Sequence, residues 1–163
     1  IKKLTSTEFR LKIYQVNENK YWALDSDATS ESDYQTPSDI PEERRFGIVI
    51  LDQVIEHIEV TGCYQIIQKL REVLEPGGFI SITIPNVSHP VRYWADCDHV
   101  TPWSFYDVYG LLRNCDLEVK KIGRFNKRNL GVNPLNYFFA AQMRRIYRMD
   151  WCDSVWVLGQ IEH

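Results

Sequence analysis

Phe46-Gly47-Ile48-Val49-Ile50-Leu51 is a short, unbroken apolar run dominated by β-branched and aliphatic residues. A run of this length with no polar alternation suits a strand buried on both faces of a parallel sheet. Downstream, Tyr64, Ile67, Leu70 and Leu74 recur at helical spacing, Thr61 stands where an N-cap is expected, and Pro76-Gly77-Gly78 stops the helix. Phe79-Ile80-Ser81-Ile82-Thr83-Ile84 is a second apolar strand, ended by Pro85. Strand, helix and strand within residues 46–84 make a βαβ unit, which calls for a right-handed crossover and a parallel pair.

Upstream of this unit, Phe9, Leu11 and Ile13 alternate with Arg10, Lys12 and Tyr14, the period-2 pattern of a half-buried strand. A second strand candidate covers 21–24. The turn-rich Asn17-Glu18-Asn19-Lys20 between them allows either a hairpin or two separated parallel strands. Seven acids and no base fall between Asp25 and Glu43, together with Pro37 and Pro41, so this stretch reads as a solvated loop with one short turn.

On the other side, Thr101-Pro102 supplies an N-cap followed by proline at the first helical position. Phe105, Val108, Leu111 and Leu112 form the apolar stripe of that helix, and Asn114 is its expected left-handed terminator. Strands are expected over 117–122 and 154–161. Between them Leu135, Phe139, Met143 and Ile146 mark one face of an amphipathic helix whose other side carries Arg144, Arg145 and Arg148. From Arg124 to Arg148 there are six basic residues and no acid, with Tyr137, Phe138, Phe139 and Tyr147 among them. Such a segment can meet a phosphate-bearing substrate, RNA or the acidic loop of a second copy, although a solvated face with its aromatics packed inward is the reading favoured.

The chain has 163 residues, which suits one domain, and its 44% apolar and 25% charged residues are those of a globular protein. A net charge of −3 argues against wholesale electrostatic binding of nucleic acid. No apolar run is long enough to span a bilayer and no signal peptide opens the chain, so a soluble protein is expected, with no membrane partner. Cys63, Cys97, Cys115 and Cys152 lie far apart and form no C-x-x-C pair, which speaks against a zinc knuckle or disulfide framework and for the cytoplasm. His57, His89, Asp96, Cys97, Asp98 and His99 carry ligand chemistry. No two histidines or cysteines among them stand at i, i+3 or i, i+4, and no metal is expected. A G-x-S-x-G elbow and a Walker loop are absent, which removes support for hydrolase and nucleotide-kinase readings.

The order of these pieces, with particular residues, resembles the Rossmann-like (class I) S-adenosylmethionine-dependent methyltransferases, of the type 11/12 kind. Residues 46–58 resemble that family's fourth strand and its following "vlEH" segment. Leu70-Arg71-Glu72-Val73-Leu74-Glu75-Pro76-Gly77-Gly78 resembles its "R-x-L-K-P-G-G" helix end, and Ile82-Thr83-Ile84-Pro85-Asn86 its fifth strand with a "P-N" exit. Asp98-His99-Val100-Thr101-Pro102-Trp103-Ser104 resembles the "H-x-x-x-x-S" entry to the next helix of a subgroup. The resemblance implies an α/β fold with a mostly parallel sheet and an antiparallel C-terminal strand, here with a shortened or missing N-terminal part. It divides the chain into a divergent 1–45, a recognisable core over 46–125, a basic helical insertion over 126–153 and a final strand over 154–163.

One departure matters. The family holds its cofactor with a glycine-rich turn after the first strand and an acid closing the second. The sequence has no G-x-G, and residues ahead of Phe46 are too few for the family's first three strands. Together with the start at Ile1, this leads to the expectation of either the C-terminal part of a longer enzyme or a shortened relative. The resemblance implies a methyltransferase using S-adenosyl-L-methionine on an unidentified acceptor, and the alternative is a scaffold or interaction domain without cofactor. It places Asp52, Gln53 and His57 in the cofactor pocket, with Asp25 as the stand-in for the ribose acid. His99 and His89 become candidate bases, since imidazole titrates near neutrality. Asn86 and Asp98, on the same rim, and Arg144 and Arg148, in the basic insertion, become candidate acceptor contacts.

Overall fold

The computed structural model describes residues 10–15, 20–25, 37–125 and 134–161. Strands β1 (Arg10–Gln15), β2 (Lys20–Asp25), β3 (Phe46–Asp52), β4 (Leu74–Pro85), β5 (Leu117–Phe125) and β6 (Ser154–Ile161) form one sheet in the order β2-β1-β3-β4-β6-β5. Helices α1 (Val60–Glu72), α2 (Phe105–Asn114) and α3 (Pro134–Tyr147) complete the described elements, with short 3-10 turns at Pro37–Asp39, Ile55–His57 and Tyr93–Ala95. β3 and β4 are parallel across the α1 crossover, as the apolar runs require. β6 lies antiparallel between β4 and β5, the place expected of the last strand. Of the two arrangements open for β1 and β2, the structure has the antiparallel one, and β1 also runs against β3. Thus β2, β3, β4 and β5 share one direction, and Asp25, Asp52 and Pro85 end on the same rim of the sheet.

One face of the sheet is closed. Val49 and Leu51 of β3, Ile80, Ile82 and Ile84 of β4, and Val157 of β6 are buried with Cys63, Ile67 and Leu70 of α1 and Val108 and Leu112 of α2. The alternate residues Ile48, Ile50, Phe79, Trp156 and Leu158 are only half-buried. The expectation that β3 is buried on both faces is therefore corrected: its two described neighbouring helices cover the same side. Gly159 belongs to the closed face, where an added Cβ would stand 3.2 Å from Leu112 Cδ1.

Several boundaries move from the sequence reading. α1 begins at Val60 with Glu59 as its N-cap residue, so Thr61 lies inside the first turn, and Cys63 rather than the exposed Tyr64 faces the core. Pro76-Gly77-Gly78 does not stop the helix but sits in β4, where the pairing passes from Phe46↔Leu74 to Ile48↔Phe79 and the extra residues bulge out. Gly77 has φ 75°, and a Cβ on Gly78 would lie 2.8 Å from the Glu75 carbonyl oxygen, so the bulge needs both glycines. α2 begins at Phe105, three residues after Pro102, because Ser104 and Asp107 form a reciprocal capping box. The left-handed residue after α2 is Asp116, φ 56°, not Asn114. On α3, Leu135, Phe138, Phe139 and Ile146 are exposed, which corrects the reading of inward-packed aromatics. The side chain of Tyr137 lies outside the described residues. No described helix is long and apolar enough to cross a membrane.

Candidate functional site

β3 and β4 end side by side, and the chain leaves each of them through a tight turn. The Gln53 amide still bonds to the Thr83 carbonyl at 3.0 Å, then Gln53 turns into the left-handed region at φ 55° and a 3-10 turn follows at Ile55–His57. Loop 96–104, between β4 and α2, folds back onto that turn. Val100 and Thr101 amides donate to the Glu56 carbonyl at 2.8 and 3.0 Å, Thr101 Oγ1 donates to the Ile58 carbonyl at 2.8 Å, and Trp103 Nε1 donates to the Ile55 carbonyl at 2.9 Å. His57 Nδ1 donates to the Asp98 carbonyl at 3.2 Å. A proline-containing loop that would otherwise be loose is thereby fixed over the rim.

The result is a polar cavity of about 280 Å³ lined by Gln53, Glu56, His57, Arg92, Asp96 and His99 together with Asp153 and Ser154. Glu56 is 1% exposed, and neither of its carboxylate oxygens has a hydrogen-bond partner among the described residues. Burial raises its carboxyl to about 8; its own amide, near it without the geometry of a hydrogen bond, works against this, and the charges of Asp52 and Asp96 add to the rise. Gln53 Nε2 is also buried without a partner among these residues. His99 donates through Nδ1 to the Tyr93 carbonyl at 2.7 Å, which makes Nε2 the lone-pair nitrogen of the neutral ring, and its ring lies 4.9 Å from that of His57. Arg92 Nε bonds the Asp153 carboxylate across the cavity wall.

Of the residues singled out in the sequence, Gln53, His57 and His99 meet in this cavity. Asp52 is exposed at the end of β3, and Asp25 ends β2 on the same rim, two strand spacings or about 10 Å away. Asp98 is exposed and contributes its carbonyl. His89 is elsewhere: its Nδ1 accepts from the Val91 and Arg92 amides, its ring packs edge-on against Trp151, and burial lowers its pKa. Asn86 is buried and spends its amide on the Asp150 and Cys152 carbonyls and the Ser88 amide. Arg144 and Arg148 join Asn86 in a second cavity of about 520 Å³ with Arg124 and Asp150. There Asp150 pairs with Arg124 at 2.8 Å and with Arg144 at 3.8 Å. The adjacent residues Pro85 and Asn86 line the first and second cavity respectively. A larger groove of about 610 Å³ between α1 and α2 holds no such cluster, since Asp107 there is used by the capping box. Glu56, Arg92 and Asp153 were not singled out from the sequence; only the "EH" pair at 56–57 signalled the first of them.

This geometry, a polar cavity where neighbouring parallel strands end, is where ligands bind in open α/β sheets. Solved structures share the fold. The fold is that of S-adenosylmethionine-dependent methyltransferases. A SAM-dependent methyltransferase from Archaeoglobus fulgidus matches 76% of this chain and 62% of its own, at 13% identity and TM-score 0.59. A complex of the Haloferax volcanii Trm112 methyltransferase activator with a putative methyltransferase matches 83% of this chain and 66% of its own, at 14% identity and TM-score 0.56. A putative methyltransferase from Bacillus halodurans matches 80% and 71%, at 14% identity and TM-score 0.53. The chain thus spans just under two thirds of the length of the first two. No protein-family model and no curated protein matches the sequence.

Proposed function

We propose that the chain is an S-adenosyl-L-methionine-dependent methyltransferase, or the C-terminal part of one, that transfers a methyl group to an as yet unidentified acceptor. The observation that carries this reading is the buried Gln53 amide at the carboxyl end of β3, held at φ 55° with Nε2 unpartnered among the described residues and facing a cavity. A strained residue with an orphan donor is what a polar ligand repays. The donor set fits a cofactor rich in ring nitrogens and hydroxyls, and Gln53 would hold it. At about 280 Å³ the cavity falls just below the usual range for a ligand site, roughly 300–1,000 Å³, so these residues supply one wall of the cofactor site.

When bound, the cofactor supplies an electrophilic methyl group on a sulfonium. The protein's task is to align the acceptor in line with it and to take up the acceptor's proton. The wall formed by Glu56, His57 and His99 is the part of the cavity with that chemistry. The neighbouring cavity, with three arginines against Asp150, favours an acceptor carrying negative charge.

Isothermal titration with S-adenosylmethionine and S-adenosylhomocysteine tests the reading. Heat from both is expected, and Gln53→Ala, which keeps the same backbone demand, should weaken binding by roughly three- to tenfold, the worth of one hydrogen bond. No heat from either at hundreds of micromolar would sink the proposal for this chain and leave the scaffold alternative.

A further inference from the structure

We infer that Glu56, His57 and His99 form a binding site for a divalent transition-metal ion with zinc-like ligand preference, open toward the cavity on the carboxyl rim. One carboxylate oxygen and one ring nitrogen from each histidine lie within 4.8 Å of one another. Bonds of ~2.1 Å at tetrahedral angles put ligand atoms about 3.4 Å apart, so side-chain rotations of about 1 Å close the triangle on an ion.

Three further features separate this trio from a chance meeting of polar groups. First, Glu56 is 1% exposed and both of its oxygens lack a partner among the described residues, although a buried carboxylate is among the costliest groups to leave unmet. Second, both imidazoles are oriented by backbone carbonyls through Nδ1, His57 by Asp98 and His99 by Tyr93. A carbonyl can only accept, so each ring carries a proton on Nδ1, and in the neutral ring the lone pair falls on Nε2, the arrangement that outer-sphere partners impose on metal-bound histidines. Third, the surroundings are acidic: Asp96 Oδ2 stands 4.0 Å from His99 Nε2, and Asp52 and Asp96 both act on Glu56. Arg92, which lines the same cavity, is paired with Asp153. A divalent cation reverses that balance and makes the ionised Glu56 favourable.

Two imidazoles and a carboxylate suit zinc and its neighbours better than magnesium or calcium, which prefer all-oxygen sites. Three protein ligands leave at least one position open, and the cavity gives a small molecule access to it. Metal binding as such does not depend on methyl transfer. Its use, holding an acceptor oxygen and easing loss of its proton, rests on the function proposed above.

The test is titration of the chelator-stripped full chain with Co²⁺, followed by its visible absorption, and with Zn²⁺ by calorimetry, both without S-adenosylmethionine. One equivalent of ion should bind. Glu56→Gln and His99→Ala should each lower affinity at least tenfold, with circular dichroism in chelator confirming that Glu56→Gln, which keeps the side-chain shape, is folded. Cys97→Ser, in the neighbouring exposed Asp96-Cys97-Asp98 trio, should bind within twofold of wild type. Absence of stoichiometric binding, unchanged affinity in Glu56→Gln and His99→Ala, or loss of binding in Cys97→Ser would each overturn the inference. Because no cofactor is present, metal binding without S-adenosylmethionine binding, or the reverse, tells the two proposals apart.

Discussion

Asn86 offers the sharpest check on how the rim is built, because sequence and structure give it different work. At the exit of β4 the resemblance makes it a candidate acceptor contact. In the structure it is 5% exposed and its amide closes three hydrogen bonds: Nδ2 donates to the Cys152 carbonyl at 2.9 Å and the Asp150 carbonyl at 3.3 Å, and Oδ1 accepts from the Ser88 amide at 3.0 Å. The amide can be oriented in only one way, since two carbonyls demand the nitrogen and an N–H demands the oxygen. Asn86→Ala removes all three bonds and leaves buried backbone groups unmet. At about 1 kcal/mol per bond, with part of the desolvation cost added, the loss is about 3 kcal/mol, or a fall in Tm of roughly 6–12 °C for a chain of this size. Asn86→Asp keeps the acceptor for Ser88 but sets a second oxygen against two carbonyls, and should cost at least as much as alanine. Urea unfolding of the three proteins, read at equal m, measures this directly. If both variants unfold within about 0.5 kcal/mol of wild type, the exchange expected of an exposed surface residue, the staple is refuted.

Two further outcomes follow from the same packing. At Gly123, paired with Trp156 across β5 and β6, an added Cβ would stand 2.2 Å from the indole ring, so Gly123→Ala should cost about 1–3 kcal/mol in urea unfolding, as overpacking does, and shift Trp fluorescence; an unchanged midpoint would show that the ring has room to move. The pH dependence of stability should carry the mark of Glu56 in chelator-treated protein. Its folded pKa, about 8, lies above the ordinary 4.5, so its stabilising share is fully present below about 4.5 and is lost as pH rises to about 8, at up to about 1.4 kcal/mol per pH unit. Glu56→Gln should flatten that slope in melts between pH 5 and 8, and parallel slopes would place the titration elsewhere.

How much of this was legible depends on whether the signal was local. The apolar runs 46–51 and 79–84 and the apolar residues of 154–161 gave β3, the core of β4, and β6, because the residues of a strand are consecutive in the chain. Helix starts were misread where a capping residue had a better partner in space. The hydroxyl of Thr101 serves the Ile58 carbonyl rather than a helix, and α2 waits for Ser104, whose partner Asp107 stands at the capping-box spacing and could have been noticed. Pro76-Gly77-Gly78 looks like a helix stop and works as a bulge, since the same left-handed freedom serves either purpose. The periodicity of α3 marked an apolar face correctly but carries no information on what covers it.

The meeting of His57 and His99 was not legible from spacing, because no local rule joins residues 42 positions apart. Backbone bookkeeping nevertheless explains it. A 3-10 turn of three residues satisfies few of its own carbonyls: that of Ile55 takes the Ile58 amide, while those of Glu56 and of Ile58, just after the turn, need donors from elsewhere. Loop 96–104 answers with the Val100 and Thr101 amides, the Thr101 hydroxyl and the Trp103 indole. Once those donors are docked, His99 is carried to within ring contact of His57, and Asp98 meets the His57 Nδ1 in return. The polar wall is therefore set by unsatisfied backbone at a strand end, and Thr101, which looks like a helix start, positions the site together with Trp103.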